Sequence, residues 1–284
     1  MGNDWAVALF GLASAASWGA ADFNGGLATR RANPFVVVAA SQAVGLGLLV
    51  VLALLVGEPF SALSSLLWGG AAGVFGGLGL AALYRALAVG QMGVAAPVTA
   101  VLSAALPVLF AALTIGIPSG RQISGFALAL LSVWLLARPN GAHGRPQGLG
   151  LALLAGAGFG GFLILIHQAD VSSVLWPLAA ARCASLVLML PLAGIALRRA
   201  APAAQGGRRL WLPVLLSGIL DVGGNAFFVL AGHVGRLDVA AVLSSLYPAT
   251  TVLLAWLLLK ERLTRSQTVA IALTLLAILL ITVA

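Results

Sequence analysis

The sequence predicts an all-α integral membrane protein: ten transmembrane helices, arranged as two inverted five-helix repeats around a central cavity. Three observations carry this expectation. Hydrophobic residues make up 61% of the 284 residues and charged residues 8%, against roughly 25% charged in a soluble domain. The apolar residues fall into ten runs near the length that crosses a hydrocarbon core, about 20 residues. One stretch also recurs: Gly90–Gln122 and Gly235–Gln267, 145 residues apart, share an opening Val-Gly, a Val-Ala-Ala, an apolar run and a polar break.

The ten runs are Trp5–Leu27, Pro34–Val56, Leu66–Ala88, Val94–Ile117, Gln122–Ala137, Gly148–His167, Val174–Leu197, Leu210–Ala231, Val239–Leu259 and Ser266–Val283. Each must be helical, because lipid offers no partner to an open backbone group. No basic-then-apolar leader precedes Trp5, so the first run reads as a span. Span one carries the pair Trp18-Gly19, met in span six by Phe159-Gly160 at offset 141. Span three places Gly69, Gly73 and Gly77 four apart, and span six places Gly156 and Gly160 likewise. Such stripes let helix backbones approach closely; they read as packing within the chain, with a dimer face as the alternative.

The breaks between runs are terse, at 90–93, 118–121 and 260–265, with two longer ones at Arg138–Gln147 and Arg198–Arg209. The first longer break divides the chain into five-span halves, 1–137 and 148–284. An odd number of crossings inverts the second half, which places a shared site at their interface within reach of either side in turn. Two helix starts match across the halves: Ser119-x-x-Gln122 and Thr264-x-x-Gln267 predict capping boxes, with hydroxyl and amide side chains satisfying opposite backbone N–H groups. The prolines are one helical turn out of step, Pro107 and Pro248 lying 141 apart.

The net charge of +8 does not point to nucleic acid, because the basic residues sit in the breaks, where they set topology. Those after spans one, five, seven and nine hold most of them, and the alternate breaks hold little beyond Arg121 and Arg236. The positive-inside rule therefore places both termini outside. The single Cys183 excludes an internal disulfide or a cysteine metal cluster. Zinc-protease, nucleophile-elbow and phosphate-loop motifs are missing, so the expectation is no enzyme, no metal and no cofactor, and any pumping is secondary.

Ionisable residues inside spans are costly and default to function. Asp221 lies near the middle of span eight, with Asn225 one turn on and so on the same face. A lone carboxylate there could carry a proton; the bland alternative is structural hydrogen bonding between helices. Asp22, one turn after Trp18, reads equally as a site acid or an interfacial group. His167 closes span six, and Tyr84 and Arg85 sit late in span three, where arginine usually snorkels to the headgroups. His233 and Arg182 read as interfacial. Trp5, Trp68, Trp176 and Trp211 fall at span ends as belt residues do. Deeper lie Trp18, Tyr84, Phe159, Phe227, Phe228 and Tyr247; Trp18 adjoins Gly19 and Tyr247 adjoins Pro248, where a span proline frees a carbonyl for a cavity.

Taken together, the ten runs, the two repeats, Trp18-Gly19 and the run from Pro248 to Leu259-Lys260-Glu261-Arg262-Leu263-Thr264 resemble the EamA-type drug/metabolite transporters over essentially the whole chain. The first repeat departs from that family's pattern, with Gly116-Ile117-Pro118-Ser119 and no Glu. The resemblance implies a secondary transporter, an exporter of small metabolites with amino acids leading, in a bacterial inner membrane, with its termini inside. The expected substrate site is Trp18, Asp22, Tyr84, His167, Asp221, Asn225 and Tyr247, lined by spans one, three, six and eight and shaped by the prolines of spans four and nine. Expected partners are a small-molecule substrate, the lipid bilayer and protons, with Asp221 the proton carrier; the chain is expected as a monomer, a dimer being the alternative. An uncoupled facilitator, and a non-transport membrane scaffold or enzyme, remain as other readings.

Overall fold

The computed structural model describes residues 4–89, 92–137, 148–169, 172–199, 210–260 and 264–282. Among these it has eleven α-helices: α1 (Asp4–Thr29), α2 (Pro34–Leu55), α3 (Leu63–Val89), α4 (Met92–Thr114), α5 (Gly120–Ala137), α6 (Leu149–His167), α7 (Leu175–Arg199), α8 (Trp211–Val234), α9 (Leu237–Ser244), α10 (Tyr247–Leu259) and α11 (Arg265–Thr282). Seven stretches are long and apolar enough to cross a membrane, α9 and α10 counting together as Leu237–Leu259, and Val98–Thr114 and Arg265–Ile281 are shorter apolar helices. The protein is an integral membrane protein. The boundary between the expected halves, residues 138–147, lies outside the described residues, as do 200–209 of the second long break and Glu261, Arg262 and Leu263 of the family-like turn.

The ninth apolar run is two helices rather than one. Ser245 and Leu246 form a turn between α9 and α10, where Ser245 N donates to Ala241 O at 2.9 Å and Ala249 N to Leu246 O at 2.9 Å. Pro248, the second residue of α10, permits the break, because it has no N–H to continue the ladder. Pro107 does not have this effect, for α4 runs unbroken from Met92 to Thr114.

The two matched helix starts form as capping boxes. Ser119 N donates to Gln122 Oε1 at 3.0 Å while Gln122 N donates to Ser119 Oγ at 3.3 Å. Thr264 N donates to Gln267 Oε1 at 2.9 Å and Gln267 N to Thr264 Oγ1 at 3.3 Å. At the other end of the α4–α5 connection, Gly116 takes φ +117°, a left-handed conformation that residues with a Cβ rarely adopt. Its carbonyl accepts from Arg236 Nη2 at 2.7 Å.

Helix packing interleaves the halves. α1 lies against α8 and α3 against α6; α3 packs on α7 and α2 on α8; α4 meets α6, and α1 meets α9 and α10. α2 also contacts α7, α4 contacts α9, and α5 contacts α11. The glycine stripes are the surfaces of these contacts. A methyl group at Gly69 or Gly73 would overlap the α7 backbone at Pro177 or Ala181, and at Gly77 it would come within 3.0 Å of Leu188 Cδ1. Gly156 and Gly160 of α6 face Leu102 and Leu106 of α4, at 2.7 and 2.9 Å from such a methyl. The stripes therefore serve packing within the chain.

Candidate functional site

A cavity of about 320 Å³ lies among these helices, with walls from α1, α2, α3, α4, α6, α7 and α8 and from the α9–α10 turn. Its aromatic side is built around Trp18 of α1. Trp18 stacks on Phe228 of α8 with ring centres 5.9 Å apart and meets Tyr247 edge-on at 6.5 Å. Gly224 makes this placement possible, since any side chain there would overlap the indole. Tyr247 reaches the cavity because the turn at Ser245 and Leu246 restarts the helix at that residue. Thr251 Oγ1, one turn further, donates to Gly19 O at 3.0 Å and ties α10 to α1. Phe159 and Phe162 of α6 add two more rings to the lining.

The polar side joins three helices. Arg182 of α7 pairs with Asp221 of α8 through Nη2 and Oδ2, and its Nη1 donates to Gln42 Oε1 of α2 at 2.5 Å. Gln42 Nε2 donates in turn to Ser185 Oγ at 3.3 Å. Asn225, 5% exposed, donates from Nδ2 to the backbone carbonyl of Asp221 at 2.6 Å. Asp22 has no ion pair among the described residues. It borders the cavity, and its carboxylate lies close enough to that of Asp221 for the two to repel. It also borders a second, smaller cavity of about 160 Å³ between α1 and α10, which runs past Gly26 and Thr251 toward Arg30 and Leu259.

Five of the residues expected from sequence thus border one cavity: Trp18, Asp22, Asp221, Asn225 and Tyr247. His167 does not. It ends α6 against Gly232 of α8, whose added methyl would lie 2.6 Å from His167 Nδ1, and it neighbours His233. The side chain of Tyr84 lies outside the described residues, and Arg85 is exposed on α3.

Two expectations change. Asp221 is not a lone carboxylate, because Arg182 neutralises it. Arg182 is not interfacial, for its side chain is 11% exposed. Gln42 and Ser185 escaped the sequence reading altogether. The available signal was the cost of any strongly polar group inside a span; Gln42 is an amide well inside α2 and Arg182 a guanidinium well inside α7. Phe159 was also in view, through its offset of 141 from Trp18. Lining helices α2 and α7 join the expected one, three, six and eight.

The arrangement offers a carboxylate, an ion pair, amides, hydroxyls and aromatic faces in one enclosure, the equipment to bind and orient a small polar solute. Among the described residues no three His, Cys, Asp or Glu side chains converge as a metal site.

Comparison with known proteins bears on fold and family. One crystal structure aligns over 98% of this chain and 96% of its own, with a TM-score of 0.77 at 18% identity, a likeness that speaks for the fold. No curated protein matches the sequence. Residues 146–283 match the EamA-like transporter family, and this segment supplies α6 to α11 and with them Arg182, Asp221, Asn225 and Tyr247 of the cavity. By those residues the second half of the chain is identified with the EamA-like transporter family.

Proposed function

We propose that the protein is a secondary transporter, an exporter of small metabolites in a bacterial inner membrane, with amino acids the class that the family resemblance puts first. It works by alternating access of two inverted five-helix repeats. The observation that carries this reading is a polar and aromatic cavity enclosed by helices from both halves of the chain. Support for the repeats comes from exchanging the halves, so that α1 takes the place of α6, α2 of α7, α3 of α8, α4 of α9–α10 and α5 of α11. The contact α1–α8 then becomes α6–α3, α2–α8 becomes α7–α3, and α4–α6 becomes α9–α1, all of which exist. A two-fold relation of this kind is what a rocking mechanism needs.

The neutralised Asp221 shifts the proton role to Asp22. In proteoliposomes, Asp22→Asn is expected to lose net flux driven by a pH gradient, while Asp221→Asn lowers gradient-driven flux and substrate exchange alike through the loss of the Arg182 partner. The Arg182–Asp221 pair also favours a second reading, an uncoupled facilitator, because it neutralises Asp221 without a proton. Gradient-independent net flux in wild type, with Asp22→Asn unchanged, would establish the facilitator and remove the coupled exporter.

A further inference from the structure

The charge in the cavity is not balanced. Among the described residues its lining holds Asp22, Asp221 and Arg182, two carboxylates and one guanidinium. Arg182 is engaged by Asp221 and by Gln42, so a substrate carboxylate could recruit it only by disturbing one of those contacts. Asp22 is the group left over. One turn before it on α1, Trp18 presents its indole beside the Tyr247 ring, and Phe159 and Phe162 line the same space.

We propose, building on the transporter reading above, that the substrate is a small organic monocation, an amine whose ammonium is held by Asp22 and whose apolar body rests on the aromatic lining. Three considerations agree on it. A monocation brings the lining and ligand to zero net charge, a zwitterion leaves one negative charge, and an anion makes two; uncompensated charge away from bulk water is the costly state. The faces of Trp and Tyr attract ammonium groups through their ring quadrupoles. The volume of about 320 Å³ sits at the lower end of the roughly 300–1,000 Å³ of ligand pockets, which selects a compact amine.

The test uses full-length protein in nanodiscs and matched ligand triplets on aromatic and aliphatic bodies, for example phenethylamine, phenylalanine and 3-phenylpropionate. Each amine is expected to bind at least about tenfold more tightly than its amino acid and its acid. Asp22→Asn is expected to abolish that preference, and Asp22→Glu, which keeps the charge, to retain it. A tighter amino acid or acid, or an Asp22→Asn protein with undiminished preference for amines, overturns the cation assignment. Flux of all three series in proteoliposomes separates the two levels. Movement of acids or amino acids in preference to amines overturns the cation and keeps the transporter, whereas no movement of any series above empty liposomes overturns both.

Discussion

Asp221 and Arg182 show how a membrane interior sorts charged residues. Each alone would be expensive at its depth; together, with Gln42 taking a further guanidinium N–H, they form a self-satisfied cluster. The partners sit on α7 and α8, and nothing in the periodicity of either helix says that the two faces meet, which is why the sequence exposed both residues but not their pairing. Removing one partner strands the other. Arg182→Leu or Asp221→Leu alone should therefore lower stability by on the order of 2–3 kcal/mol, less than the roughly 3–5 kcal/mol of a fully buried pair, because Asp221 keeps 36% of its side-chain surface open. The double substitution should cost clearly less than the sum of the two. Reversible unfolding in mixed micelles measures this cycle, and additive losses would mean that the contact contributes nothing.

Helix ends were the most legible elements, because a capping box is written in four consecutive residues and closes without help from elsewhere in the fold. Both copies form with the same pairs of bonds. Thr264→Ala should accordingly cost about 1 kcal/mol and leave substrate preference alone; a changed preference at unchanged stability would give Thr264 a role in the site instead. Prolines were less legible. Pro248 opens α10 beside the cavity, yet Pro107 sits inside an unbroken α4. A missing N–H only permits a break, and neighbouring helices decide whether it occurs. Least legible was the cap of α7, whose first amides are satisfied from a distant loop. Glu58, in the α2–α3 connection, accepts from Leu175 N at 2.9 Å and Trp176 N at 3.3 Å, and from Ser173 Oγ at 2.6 Å. Trp176, expected as a belt residue, returns a bond from Nε1 to Glu58 O at 3.1 Å. A carboxylate at a helix N-terminus is favoured by both its hydrogen bonds and the helix dipole, but only the fold brings this one there.

On the scale of the whole molecule, Glu58 belongs to one proposed repeat and α7 to the other, so this cap is also a clasp between the halves. A second clasp joins them through Arg236 of the α8–α9 break, which pairs with the buried Asp238 at 2.8 Å and donates to Gly116 O of the α4–α5 connection. If the ten expected spans cross alternately, with α9–α10 as one, both clasps fall at the same end of the bundle, the end where α1 begins and α11 finishes. If the repeats rock against each other, opening that end must break the two clasps, and weakening one should shift the balance of states toward it. Spin labels at Ile117 and Gln168, both exposed and both at that end, one in each half, report the separation on a Cys183→Ala background. Wild type is expected to show one dominant distance, and Glu58→Ala to add a longer one. An unaltered distribution in Glu58→Ala, with stability reduced by about the 1 kcal/mol of a lost cap, would make Glu58 a helix cap alone and leave the closure of that end to apolar packing.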